Sequence, residues 1–203
     1  MPTLLFSKTC GGELGVLLGV SLLGAVFQNA ILISITLFIF LFLIFFYRVP
    51  PFIVETLNKT SLQSPSTGKI IGIQKQKEGT KIFIFLSPMD PHVQFVPFDG
   101  VVRKVTRLAG TNEFAGTLKE NKNRIVTDIV IPTGDLLTIT QNTGLMARRI
   151  VNFLKPGDWV KKGDQLGLIK FGSRVDIVIP LYFQLKVDLG QRINVGDTLA
   201  IQN

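Results

Sequence analysis

From Gly15 to Tyr47 the chain carries no charged residue, whereas from Lys69 onward apolar and polar positions alternate in short runs broken by turns. The first stretch is divided by Gln28 and Asn29 into a shorter arm and a stronger one, ILISITLFIFLFLIFFY, which approaches the ~20 apolar residues that span a bilayer. A transmembrane helix or a helical hairpin is expected there. The second texture has a period of two. KIIGIQ, TKIFIFL, GVVRKVT, RIVTDIVI, DLLTITQ, QLGLIKF, RVDIVIP and TLAIQ each read as strands, so an all-β sandwich or barrel is expected. Only residues 144–154 read as a candidate helix. Pro50, Pro51, Pro65 and Gly68 punctuate a linker-like passage between the two textures. The expected organisation is a tail over residues 1–14, a membrane anchor over 15–47, a linker over 48–68 and a β domain over 69–203.

Composition sharpens the membrane reading. With 203 residues, 46% of them hydrophobic, and a mean hydropathy of +0.39, the chain is too apolar for a purely soluble protein. A signal peptide fits poorly, because Lys8 is soon followed by Glu13, no small-residue cleavage site follows the apolar run, and the run is too long. Arg48, Lys59 and Lys69 follow the anchor, which places the remainder on the cytoplasmic face of the cell membrane. The formal charge of +8 suits an anchored domain facing anionic head groups. Nucleic acid is not expected as a partner, since one Trp and two Tyr supply few stacking platforms and the phenylalanines crowd the anchor. Cys10 is the only cysteine and His92 the only histidine, so disulfide frameworks and multi-histidine metal sites are excluded and no metal is expected.

Two features carry candidate chemistry. KPGDWVKKGDQLGLI (155–169) and GQRINVGDTLAIQ (190–202) form a weak repeat, each with a Gly-Asp turn before an apolar strand. Such turns resemble the hammerhead turns of lipoyl and biotinyl carrier domains and of membrane-fusion adaptors, which makes the expected fold a hammerhead or barrel-sandwich-like β domain. A carrier's modifiable lysine at a hairpin tip is absent. In KFGSRVDIVIP (170–180), Gly172 and Ser173 interrupt a strand-like run, where glycine usually marks a bulge or a close backbone approach.

Together these segments resemble a known family. GLMARRIVNFLKPGDWVKKGDQLGLIKFGSRVDIVIP (144–180) is similar to the C-terminal signature of the phosphatidylserine decarboxylases in their short, membrane-anchored form, an ether-lipid (archaetidylserine) variant included. SPMDPHVQFVPFDGVV (87–102), SPSTGKI (64–70) and FFYRVPPF resemble further family segments upstream. The resemblance implies a proenzyme that cleaves itself between Gly172 and Ser173. Ser173 would attack the Gly172 carbonyl, and elimination with loss of ammonia would leave a covalent pyruvoyl group as cofactor. Glycine gives the nucleophile access, and serine supplies both the oxygen and the acidic α-hydrogen. The pyruvoyl ketone would form a Schiff base with phosphatidylserine and serve as electron sink, giving phosphatidylethanolamine. The two cleavage fragments would remain together as a heterodimer.

The resemblance also implies roles for other residues. His92 would deliver a proton, with Asp90 either orienting it or capping a turn after Pro88. Arg148, Arg149 and Arg174 are candidates for the lipid phosphate and the serine carboxylate, but the adjacent Arg148 and Arg149 are expected to point to different sides, so that only one of them serves and the other is solvated or paired with an acidic residue such as Asp176. Thr67 stands where the family has aspartate, Gln94 and Phe95 where it has asparagine and arginine, and Phe52 where it has arginine. With the aspartate gone, Asp90 and His92 are the remaining candidates to assist cleavage. An unprocessed lipid-binding relative and a membrane-fusion adaptor share some of these features, but no heptad stretch for an adaptor's helical hairpin occurs between Lys69 and Asn203.

Overall fold

The computed structural model describes residues 11–26, 29–50, 60–111, 116–118, 123–144, 149–170 and 173–202, in two compact units divided at Pro50 and Pro51. In the first unit, α1 (Gly11–Val26) and α2 (Ala30–Phe46) form an antiparallel pair. Asn29 caps α2 by accepting from the Leu32 amide at 3.0 Å, which satisfies one of the free donors of the first turn. Gly24 lets the helices approach, since a Cβ there would lie 3.2 Å from Ile33. One turn further along, the Ser21 hydroxyl donates to Thr36 Oγ1 at 2.8 Å. The arms have 16 and 17 residues, a rise of about 25 Å each against a hydrocarbon core of about 30 Å. Among the described residues no helix is long and apolar enough to cross a membrane.

The second unit is built from strands. In chain order they are β1 (Ser61–Gln63), β2 (Gly68–Gln76), β3 (Gly79–Leu86), β4 (Val93–Phe95), β5 (Gly100–Leu108), β6 (Arg124–Val130) and β7 (Leu136–Thr143). There follow β8 (Arg149–Asn152), β9 (Trp159–Val160), β10 (Gln165–Lys170), β11 (Ser173–Ile179), β12 (Phe183–Leu185), β13 (Arg192–Ile193) and β14 (Thr198–Gln202). A curled eight-stranded sheet runs in the order β13-β2-β3-β11-β7-β6-β5-β9, beside the three-stranded sheets β1-β14-β12 and β4-β10-β8. The strand-to-strand pairings within these sheets are antiparallel. The mainly β expectation is thus met.

Alternation places the core. Ile125, Thr127 and Ile129 of β6 are buried, while the residues between them are half-exposed. The inner rows of β3, β7 and β11 contribute Ile82, Ile84, Leu137, Ile139, Val175 and Ile177 to one apolar core. Strand β11 departs from alternation because both its faces are covered. The Gly-Asp turns recur with one geometry. In Lys155–Asp158, Lys161–Asp164 and Asn194–Asp197 the aspartate amide donates back to the first residue's carbonyl. Its carboxylate accepts that residue's own amide at 2.7 to 2.8 Å, and the glycine before it has φ near +90°.

Two expectations are corrected. Residues 149–152, inside the candidate helix, are strand β8, held by β10 through the register Gly167↔Asn152 to Lys170↔Arg149. The last part of the expected linker contains β1, whose Ser61 and Gln63 are buried against β14.

Candidate active site

Ser173 is the first residue of β11, the strand between β3 and β7, where it lies opposite Leu86 and Thr143. Side chains opposite one another share a face, so Ser173, Val175, Thr143 and Gln141 all belong to the inner row. The Ser173 hydroxyl is fully buried and has no hydrogen-bond partner among the described residues. A buried hydroxyl is normally satisfied, because leaving one without a partner costs about 1–3 kcal/mol. Gly172 and Arg148 lie outside the described residues. Strand β10, which ends at Lys170, belongs to a different sheet from β11.

His92 is fully buried just before β4. Its Nδ1 lies 2.6 Å from the Asp90 carbonyl oxygen. A carbonyl only accepts, so Nδ1 carries the proton and Nε2 is the basic nitrogen of the neutral ring. Asp90 therefore orients the ring through its backbone. Its carboxylate caps the turn after Pro88, accepting from the Ser87 amide at 2.8 Å, and pairs with Arg192. Thr67 is likewise used structurally, accepting from the Val195 amide at 3.0 Å.

The His92 carbonyl accepts from two donors, the Ile169 amide at 3.1 Å and the Gln94 side-chain amide at 2.7 Å. The Gln94 oxygen accepts from Gln141 Nε2 at 2.9 Å, and the Gln141 oxygen from Asn152 Nδ2 at 3.1 Å. Asn152 Nδ2 also lies 2.8 Å from Thr127 Oγ1. Sequence reasoning missed Gln141 and Asn152. The available signal was the phase of β7, in which Leu137, Ile139 and Gln141 occupy successive inward positions, so that a glutamine stands where alternation demands an apolar residue.

Arg174 points to the opposite face of β11 from Ser173. Its Nε and Nη2 grip both Asp176 carboxylate oxygens at 2.6 and 2.9 Å, Nη1 donates to the Thr117 carbonyl, and the guanidinium lies 5.1 Å from the Phe83 ring centre. All three nitrogens are engaged within the protein, and the residue is completely buried. Burial pushes the Asp176 carboxyl above its ordinary value, against the attraction of Arg174. Arg149, by contrast, is exposed at the start of β8, directly opposite Lys170. Among the described residues no cluster of His, Cys, Asp and Glu could hold a metal ion.

Residues 52–201 match the family model of phosphatidylserine decarboxylase. The chain is 34% identical over 191 residues to a phosphatidylserine decarboxylase proenzyme of Desulfotalea psychrophila, covering 90% of this chain and 89% of that one. It is 34% identical to the proenzyme of Pelodictyon phaeoclathratiforme, over 78% of both chains. For that of Streptomyces avermitilis the identity is 35%, over 77% of this chain and 72% of the relative. These matches run through the β unit that holds Ser173 and His92, and the chain belongs to the phosphatidylserine decarboxylase family of pyruvoyl-dependent decarboxylases.

Proposed function

We propose that the chain is a proenzyme that cleaves itself between Gly172 and Ser173, converts Ser173 into a pyruvoyl group, and decarboxylates phosphatidylserine to phosphatidylethanolamine. The observation that carries this reading is the fully buried Ser173 hydroxyl without a hydrogen-bond partner among the described residues, at the head of a central strand. An unengaged hydroxyl keeps its lone pairs for attack on a carbonyl. In the proposed reaction Ser173 Oγ bonds to the Gly172 carbonyl carbon as the peptide C–N bond breaks, giving an ester and a free amine on residue 173. Loss of the Ser173 α-proton expels the Gly172 carboxylate. The resulting enamine tautomerises, and one water replaces its nitrogen, which leaves as ammonia.

His92 is the residue we assign to proton transfer. Its Nε2, basic while Nδ1–H is held on the Asp90 carbonyl, takes the hydroxyl proton and in the mature enzyme returns one to the substrate carbon. The pyruvoyl group supplies the electron sink for carbon dioxide loss. Asp90 acts through its backbone carbonyl and its turn. Arg149 and Lys170 are two cations facing each other across adjacent strands, and an anion such as a lipid phosphate would bridge them. Arg174 holds β11 in place, and Arg148 has no role in this reading.

The helical pair is taken to insert into the cell membrane from the cytoplasmic face. Its outer positions, among them Val16, Leu22, Ile31 and Phe38, are exposed and apolar. The two fragments remain together because β11 would stay paired with β3 and β7 after the bond breaks. Incubation of the mature protein with phosphatidylserine vesicles tests the substrate. Release of carbon dioxide with appearance of phosphatidylethanolamine is expected, and a cleaved, carbonyl-bearing protein that releases none would overturn the assignment.

A further inference from the structure

We infer that Gln94 and Gln141 are positioning residues that hold His92 in place against Ser173. The inference rests on the proposed role of those two residues in self-cleavage. The ends of the bridge lie next to the two reacting groups. Gln94 donates to the His92 carbonyl, while Gln141 stands opposite Val175, one inner-row place from the Ser173–Thr143 pair, a diagonal of about 7–8 Å. Strand β4, carrying Gln94, belongs to a three-stranded sheet, and β7, carrying Gln141, to the eight-stranded one. The Gln141–Gln94 hydrogen bond at 2.9 Å thus ties the sheet whose strand β4 directly follows His92 to the sheet bearing Ser173.

The rest of the network fits a positioning device. Both glutamines are completely buried, and their amides donate in one direction, from Asn152 to Gln141 to Gln94 to the His92 carbonyl. Asn152 is fixed in turn by the Leu154 amide at 2.9 Å. Gly167 makes room, since a Cβ there would overlap the Val151 carbonyl and come within 3.0 Å of Gln141 Nε2. An apolar core would hold the two sheets together equally well. A directed chain of amides additionally fixes the orientation of one peptide, that of His92, whose ring is held by the carbonyl two residues before it.

The test follows cleavage of freshly synthesised full-length chain by intact mass, for wild type, Gln141→Leu and the double variant Gln94→Leu/Gln141→Leu. Removing Gln141 alone leaves the Gln94 side-chain oxygen buried without its donor, whereas replacing both glutamines restores an apolar contact that can be nearly neutral for folding. Both variants are expected to cleave about 10²-fold more slowly, the loss typical of a reacting group displaced by about 1 Å. In a His92→Ala background the double replacement is expected to add no further loss. Because His92 is the only histidine, ¹⁵N-histidine NMR of uncleaved Ser173→Ala protein reports its ring alone. The Nδ1–H tautomer should dominate, and should mix with the other form in the double variant. A folded double variant that cleaves at the wild-type rate, or one with an unchanged imidazole signature, overturns the inference. Wild-type chain that never cleaves overturns the self-cleavage reading instead.

Discussion

Replacing Asp176 with alanine should destabilise the β unit while leaving every inner-row residue in place. Arg174 is wholly buried and Asp176 nearly so, and two of the three guanidinium nitrogens spend their hydrogen bonds on that carboxylate. Removing one member of a buried pair typically costs about 3–5 kcal/mol, because the charge left behind has lost its partner. Here Nη1 keeps the Thr117 carbonyl and the cation keeps the Phe83 ring, so the cost should sit at the lower end, about 3 kcal/mol. For a chain of this size that corresponds to a fall in Tm of about 6–12 °C. The assay is thermal and urea unfolding in a Ser173→Ala background, which keeps the chain in one piece. Arg174→Met/Asp176→Leu is the control, since replacing a whole buried pair by apolar groups is often neutral. A loss below about 1 kcal/mol for Asp176→Ala, or an equal loss for the double replacement, would refute the claim that this pair clamps β11.

Because burial raises the folded-state value of Asp176 above the ordinary 3.8, its contribution is fully present below 3.8 and is lost as pH rises through that raised value. The stability difference between wild type and Asp176→Asn should fall with pH across that window; a difference that grows with pH would contradict the direction. Replacing His92 with alanine should slow decarboxylation by about 10²–10⁴-fold, and near-normal turnover would exclude its role in proton transfer. Arg149→Ala/Lys170→Ala should raise KM for phosphatidylserine vesicles with kcat largely retained, so an unchanged KM would remove this pair from the phosphate site.

The strands that were legible in the sequence are those long enough to show a period of two, such as β3, β6 and β11. Strands β1, β4, β8, β9, β12 and β13 have two to four residues and show no period of their own. Their pairing is set by tertiary neighbours, as when Gln63 donates its amide to the Pro97 carbonyl. Residues 60–68 read as linker because Pro65 and Gly68 punctuate them, yet residues 61–68 are buried, and Ser64 donates its amide to the Asp197 carbonyl at 2.7 Å. The Gly-Asp turns were readable because their geometry is local, whereas the destination of Arg174 depends on strand phase. One residue after an inward serine, it faces outward, where Asp176 shares its row. Of the site, Ser173 and His92 stood out by motif. The amide bridge between them was hidden, since Gln94 and Gln141 lie 47 residues apart and meet only when two sheets do.

Intact-mass analysis of purified wild-type chain after prolonged incubation tests the central claim most directly. Two pieces are expected, Met1–Gly172 and a C-terminal piece starting at position 173 that is lighter by one ammonia than the serine-ended peptide. The small piece should react with hydroxylamine, and Ser173→Ala should give neither piece. A wild-type chain that stays in one piece, with no carbonyl to trap, would contradict the account and leave an unprocessed member of the family in which Thr67 stands in place of aspartate.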